Sequence, residues 1–430
     1  MKRKPSLLVI FLSVFIDLVG FGIVLPLLPG FAEDDFHPGF SATGLIIGCI
    51  IGSFSAMQFF FAPAWGRLSD RIGRRPVMLI SNLGAGGSYC LFAIASGNVG
   101  TWGLIGLLVS RIFAGICGAN LSVASAYIAD ITTPDKRSKG MGMIGMAFGL
   151  GFIFGPAIGA LSMGGFGHTF GLEHIFGNTI ADVVQHGFGR TGPGWVAASI
   201  CFANFILGWF ILGESRAPGG QPFVPRPKFS QWSHTLAQPQ LGVLVVIFFL
   251  ATFCFTCFEA TFPLLAKHAL GFGGKGADHR IGYLFTYCGL ITAFLQGGIG
   301  KLVKSLGEPK LIFISLLVFT IGLAALPYQT SLTGLLVVLA ILAIGSGLNR
   351  PPVFGLISIK SSADEQGANL GVAQSFGSLA RILGPIFATT LFFVNMQLPY
   401  LICAGVALVT AFFAWQYLCR DKAPVAAATK

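Results

Sequence analysis

The chain has 430 residues, of which 54% are hydrophobic and only 10% charged, whereas an ordinary soluble domain carries roughly 25% charged residues, so a water-soluble surface cannot be assembled from it. The net charge of +11 would suit nucleic acid only if a compact basic domain carried it, and none exists. All nine cysteines fall within or at the ends of apolar runs, which argues against a disulfide framework.

Apolar runs long enough to cross a hydrocarbon core, about 20 residues at about 1.5 Å rise each, recur along the whole chain. They lie near 6–30, 41–64, 77–97, 101–127, 139–163, 194–213, 241–266, 281–301, 311–329, 331–350, 368–393 and 398–419. The expected fold is an all-α polytopic membrane protein with twelve transmembrane helices, packed closely through its 59 glycines.

Helix 1 follows Lys2-Arg3-Lys4 but is too long for a signal peptide, holds Asp17 and lacks a small-residue cleavage site, so it is expected to stay in the mature protein. An ionised side chain at mid-bilayer costs about 2.5–3.5 kcal/mol on insertion scales. Asp17, Arg111, Glu259 and Arg381 stand out on that ground. Between helices 2 and 3, Gly66-Arg67-Leu68-Ser69-Asp70-Arg71-Ile72-Gly73-Arg74-Arg75 packs five charges into ten residues, with glycines where a tight turn needs them. Helix 4 carries Arg111 and ends near Asp130. Helix 5 contains Gly151-Phe-Ile-Phe-Gly155-Pro156-Ala-Ile-Gly159, whose glycines four apart share a face for close packing while Pro156 frees a carbonyl.

The outer loop 164–193 scatters His168, His174 and His186 with Glu173 and Asp182 among Gly and Phe. That spacing does not suit a metal site and reads as a lid or surface helix. The segment Glu214 to Gln240 holds Pro218, Pro222, Pro225, Pro227 and Pro239 and reads as an extended linker. In helix 7, Cys254-x-x-Cys257 is flanked by Phe253, Phe255 and Phe258 and reads as inert packing. Glu259, followed by Pro263, is open to three readings: it carries the proton, binds a cationic substrate, or snorkels toward water. Arg381 precedes Gly384-Pro385 in helix 11 and reads as an internal brace or a substrate contact. The uncharged Gln58, Asn120, Gln296, Asn349 and Gln374 are interhelical hydrogen-bonding groups, some of which would line a cavity.

Numbering the segments alternately from the N-terminus places 21 of the 27 basic residues on one side; Arg190, Lys267, Lys275 and Arg280 fall on the other, and Arg111 and Arg381 inside helices. The excess marks the cytoplasmic side, with both termini and the linker there. A shift of 229 residues aligns Gly118 with Gly347, Asn120 with Asn349, Asp135 with Asp364, Gly142 with Gly371 and Gly155-Pro156 with Gly384-Pro385. The expected organisation is an N-terminal six-helix half over 1–213, a cytoplasmic linker over 214–240, a C-terminal half over 241–420 and a tail over 421–430. Because each half has an even number of helices, the repeat is parallel, with a midplane site between the copies.

The helix 2–3 loop resembles the signature loop of the major facilitator superfamily. With it, Asp17-Leu18-Val19-Gly20-Phe21-Gly22 followed by Pro26 and Pro29, Arg111 to Gly115, Gly118-Ala119 and the helix 5 run are similar to that superfamily's drug/proton antiporters, closest in look to tetracycline/proton antiporters. The resemblance implies the major facilitator fold and alternating access. It makes Gly66, Asp70, Arg71, Gly73, Arg74 and Arg75 the cytoplasmic gate, with Asp70 capping helix 11 and Arg71 and Arg74 pairing with acids such as Asp130. It makes Gly151, Gly155, Pro156 and Gly159 the antiporter motif, with Ala160 in place of a commonly seen final Gly. Helices 1 and 4 would both face the cavity, so Asp17 and Arg111 can pair. Helix 3 offers only Ser88-Tyr89, and helix 9 no acid, where tetracycline/proton antiporters use acidic residues.

The function expected is proton-coupled antiport that exports a small amphipathic compound, the proton riding on Asp17 first and Glu259 second, with substrate and coupling contacts also at Arg111, Arg381, Gln58, Asn120 and Asn349. No enzyme activity, metal or organic cofactor is expected, and the chain contains no G-x-x-x-x-G-K-[ST] nucleotide loop. The partners expected are a small molecule and the lipid bilayer, with no nucleic acid and a monomer in the cell (inner) membrane. Uptake of a nutrient or metabolite, and a non-transporting receptor or scaffold on the same fold, are the alternatives.

Overall fold

A computed structural model describes residues 5–34, 43–98, 100–118, 120–132, 134–165, 189–215, 230–268, 277–361 and 366–420. Among these the regular structure is helical throughout, as it must be where no water satisfies backbone groups. The N-terminal half contains α1 (Leu7–Val24, prolonged by a 3-10 turn and Leu28–Asp34), α2 (Thr43–Ile72) and α3 (Arg74–Ser96). It continues with α4 in two pieces (Thr101–Cys117 and Asn120–Ile131), α5 (Pro134–Ala160) and α6 (Gly192–Ile211). A short linker helix, Ser230–Ala237, leads into α7 (Pro239–His268), α8 (Ala277–Leu306), α9 (Glu308–Ala325), α10 (Leu332–Lys360), α11 (Gln366–Val394) and α12 (Leu398–Ala414). Ten of the described helices are long and apolar enough to span a membrane, and the first piece of α4 is a shorter apolar helix. With α8 they give the twelve-helix, six-plus-six architecture.

The apolar interior of the described residues includes four clusters, two centred in each half, one of which also takes in Ala260 of α7. In the N-terminal half one cluster contains Ile10, Val14 and Val123 and the other Val19, Ile23 and Leu107. Asp17 and Arg111 lie between them along the chain. In the C-terminal half Arg350 and Arg381 stand likewise between a cluster with Val353 and Ala373 and one with Leu342 and Ala388. The charged residues therefore share a level at which apolar packing is interrupted.

The halves meet along two seams, α2 against α11 and α5 against α8. Toward the face remote from the termini both seams are tight. The Thr389 hydroxyl donates to the Gly44 carbonyl at 2.5 Å. A methyl group on Gly48 would sit 2.5 Å from the Ile386 Cα, and one on Gly282 2.7 Å from the Ala160 Cβ. Toward the face carrying the basic residues both seams part. Gly371 lies three turns before Ile382 on the same side of α11, and Gly300 one turn beyond Gln296 on α8. Among the described residues no heavy atom lies within 4 Å of the position at which either would project a Cβ. Into the gap beside α2 and α11 the linker helix inserts Trp232, its ring 5.8 Å from Phe59 and 5.2 Å from Phe376. Among the described residues, then, the two seams are closely packed toward one face and looser toward the basic one.

Candidate functional site

A cavity is lined from both halves: by Asp17 and Phe21 of α1, Phe54 and Gln58 of α2, Tyr89 of α3, Leu121 of α4, Phe148 of α5 and Arg381 of α11. A second cavity takes Phe21 and Ser55 from one half and Thr256, Glu259, Arg381 and Pro385 from the other. Arg381 lines both, so it contacts the cavity and is not merely an internal brace. The half-buried Glu259 shares a wall with it.

The cavity walls follow from helix packing. A methyl on Gly155 would lie 2.5 Å from the Gly22 Cα, and one on Gly159 2.7 Å from the Ile23 carbonyl oxygen. The helix 5 motif is thus the contact that holds α1, and with it Asp17, against α5. The repeat places Gly384 of α11 against Thr256 of α7, the helix that carries Glu259. In α4 the helix breaks at Gly118, which leaves carbonyls without intrahelical donors. Gln58 donates to the Gly118 carbonyl at 2.8 Å, Trp65 to that of Ile116 at 2.6 Å, and the Ser81 hydroxyl to that of Cys117. Gln58 therefore both lines the cavity and supports this break.

Arg111, which the sequence allows to pair with Asp17, is enclosed by aromatic rings. Only 1% of it is exposed, and its guanidinium carbon stands 5.3 Å from the Phe54 ring centroid, 5.8 Å from Tyr89 and 6.0 Å from Phe92. Its Nε and Nη1 meet no hydrogen-bond acceptor among the described residues. Stacked rings return about 2 kcal/mol when desolvated. Tyr89, one of these rings, lines the cavity together with Asp17. Asn349 departs from the cavity: it is buried and donates to Ser315 on α9 at 3.2 Å. The side chain of Asn120 lies outside the described residues, as does the stretch 166–188 with its three histidines.

One cation was assigned wrongly from the sequence. Arg350 counts among the cytoplasmic basic residues if helix 10 ends at Pro351, yet α10 runs on to Lys360 with both prolines inside it. Arg350 lies over Phe148 at 4.7 Å, Phe354 at 5.5 Å and Phe248 at 5.9 Å, and donates to the Gln374 carbonyl at 3.4 Å. The repeat gave a usable signal, because the shift of 229 that pairs Asn120 with Asn349 pairs Leu121 with Arg350. Leu121 faces the cavity.

At the basic face the gate loop is anchored within the N-terminal half. Arg74 pairs with Asp130 at 3.1 Å and donates to the Ser69 hydroxyl at 2.6 Å. Gly73, at φ 100°, opens α3, whose first amides, Arg74 and Arg75, donate to the Glu214 carboxylate at 2.9 and 3.1 Å. An anion at a helix N-terminus is favoured by its unsatisfied amides. Glu214 caps α3 beside this loop, a contact that the loop motif did not reveal. Arg75 donates to the Trp209 carbonyl at 2.7 Å, Arg71 is exposed, and Gly66 is buried. The side chain of Asp70, with its expected reach to helix 11, lies outside the described residues.

The family model of the Major Facilitator Superfamily matches residues 10–385 and 276–430. The class C tetracycline resistance protein of Escherichia coli is 29% identical over 398 residues, 91% of each chain. Major facilitator superfamily domain-containing protein 10 of Mus musculus is 27% identical over 446 residues, 96% of this chain and 93% of the relative. Among solved structures, the human organic anion transporter MFSD10 superposes with a TM-score of 0.69 at 25% identity, covering 96% of this chain and 100% of that one. A D-xylose-proton symporter superposes at 0.71 with 15% identity, covering 95% and 97%, a likeness of fold alone. A twelve-helix bundle in two parallel halves, a charged cavity between them and these matches along almost its whole length agree: the chain belongs to the major facilitator superfamily and is a secondary transporter.

Proposed function

We propose that the protein is a proton-coupled antiporter that exports a small, aromatic, amphipathic compound carrying both a cationic and an anionic group, with its basic face in the cytoplasm of a cell (inner) membrane. The observation that carries this reading is that Asp17 from one half and Arg381 from the other line one ring-walled cavity. An amine of the solute competes with the proton for Asp17, and competition for one carboxylate is the physical basis of exchange. The acid group of the solute is held by Arg381, while Phe21, Phe54, Tyr89 and Phe148 supply apolar surface. Moving one charge through the membrane field is worth about 2.3 kcal/mol per 100 mV before any pH gradient is added. The relatives support a transporter of drug-like or anionic solutes: one is named for tetracycline resistance and another is described as an organic anion transporter.

A second reading has its own observation. Glu259 and Arg381 share the second cavity; protonating Glu259 would release Arg381 for a purely anionic solute, and proton and anion would then bind together and travel in the same direction. Everted vesicles with an acid interior separate the two. Addition of an amphoteric aromatic solute releases protons if the chain is an antiporter. Uptake of protons with an anionic solute marks the second reading, and no flux with any solute leaves neither standing.

A further inference from the structure

We infer that Arg350, Gln374 and Phe148 form an oxyanion subsite on the cytoplasmic approach to the central cavity, which holds the carboxylate, sulfonate or similar group of the solute before Arg381 receives it. The inference rests on the reading that the solute carries an anionic group.

The first observation is an uncompensated charge. Every recorded partner of Arg350 is neutral: the rings of Phe148, Phe248 and Phe354 and the amide of Gln374. It makes no ion pair among the described residues. A cation withdrawn from water without an anion is costly, and a guanidinium offers a planar fork of donors that matches an oxyanion in two-point contact. The amide of Gln374 takes up only one donor direction.

The second observation is position. Gln374 lies seven residues, two turns or about 10 Å, nearer the basic face than Arg381 on the same helix, and Arg350 is in contact with it. Among the described residues the α5–α8 and α2–α11 seams are loosely packed toward that face, with no heavy atom within 4 Å of a Cβ built on Gly300 or Gly371. Arg350 is partly exposed, unlike Arg111.

The third observation is the ring between the two cations. Phe148 lies 4.7 Å from the Arg350 guanidinium carbon and 5.5 Å from that of Arg381, so the two cations lie within about 10 Å of each other. Two like charges on one ring repel, and an anion between them turns repulsion into attraction. Because Phe148 also lines the central cavity, a turn of its ring passes the anion from Arg350 to Arg381 without returning it to water. The internal repeat gives independent support: Leu121, the counterpart of Arg350, faces that cavity from the other half.

The test uses the full chain in nanodiscs of phosphatidylcholine, with dansylglycine as the anionic probe and dansylglycinamide as its neutral counterpart, followed by dansyl fluorescence. The wild type should bind dansylglycine about tenfold or more tighter than the amide, as a charge-assisted hydrogen bond warrants. R350Q should lose most of that preference while binding the amide as before, which also reports that the variant is folded. R350K should recover part of it. Retention of the full preference by R350Q, with its loss in R381Q, would overturn the subsite and leave the function proposed above intact. Absence of any preference in the wild type would remove the anionic group from that function and the subsite with it. Phosphatidylglycerol added to the nanodiscs should leave the wild-type affinity unchanged; a several-fold weakening absent from R350Q would assign the site to a lipid phosphate and overturn the solute assignment.

Discussion

The two halves of the bundle share a scaffold and differ in what their charges can reach. In the N-terminal half Arg111 is sealed behind Phe54, Tyr89 and Phe92, and Arg74 is tied to Asp130 and Ser69 at the basic face. Its cavity-facing acid is Asp17. In the C-terminal half Arg350 and Arg381 approach the cavity through Phe148, and a shift of 234 residues, which pairs Gly66 with Gly300 and Gly73 with Gly307, puts Lys304 where a second gate aspartate would be needed. A parallel repeat can keep its helix contacts while its charges diverge, because packing constrains shape at the interfaces and leaves the cavity-facing positions free. Under the proposed function, proton exchange falls to the first half and anion recognition to the second, a division that the variants below test.

The largest effect that would break this division is at Asp17. D17N keeps the volume of the side chain and removes its proton exchange, so solute export driven by a pH gradient should fall to background, while solute-for-solute counterflow persists at a raised KM because the amine has lost its carboxylate. E259Q should leave gradient-driven export standing. The reverse pattern would move coupling into the C-terminal half. Next in size is a contrast between cations: R381Q should raise KM for an acidic solute about tenfold or more, the scale of a charge-assisted hydrogen bond, whereas R111Q should leave KM within about twofold. Equal increases would mean that Arg111 also meets the solute.

Most of the fold was legible because span length and the 229-residue shift are global patterns that local exceptions do not erase. Arg350 was lost to a local rule that is sound in water: proline ends helices. Inside the bundle, packing against neighbouring helices carries α10 through Pro351 and Pro352. Asp17 and Arg381 were legible as cavity residues because a buried charge needs a reason. Their partners were not, since pairing depends on rotation about each helix axis. Tyr89, spelled only as an aromatic after Ser88, is what Arg111 meets. Glu214 looked like the first residue of a linker and is the cap of α3, a contact across 140 positions of sequence.

A smaller effect sharpens the comparison at the level of packing. An alanine at Gly155 would drive its methyl group into the backbone of Gly22, which cannot turn aside; at Gly384 the nearest group is the hydroxyl of Thr256, a side chain that can rotate. Overpacking costs about 1–3 kcal/mol, so G155A should lower the thermal midpoint of the detergent-solubilised protein by more than G384A does. Equal losses would show that the two contacts are equally rigid despite their different neighbours.

The smallest expected effect concerns the element that belongs to neither half. Phe59 lies seven residues after Gly52 and so on the face of α2 that meets α11, yet the ring it finds is Trp232 of the linker helix. That helix is pinned by Thr235, which donates to Asn369 at 2.8 Å, and Asn369 donates in turn to Ser361 at 3.0 Å. Closing the basic face would bring α2 to Gly371 and leave no room for the indole. The ring contacts with Phe59 and Phe376 therefore favour the open arrangement, each by roughly 0.5–1.5 kcal/mol. W232A should weaken that bias by about 1 kcal/mol, a shift of about fivefold, read as slower alkylation of a single cysteine introduced as G371C from the basic face. W232F should retain much of the wild-type rate. An unchanged rate in W232A would make the indole a passive filler of the gap, and the opening of the basic face would then be set by the two halves alone.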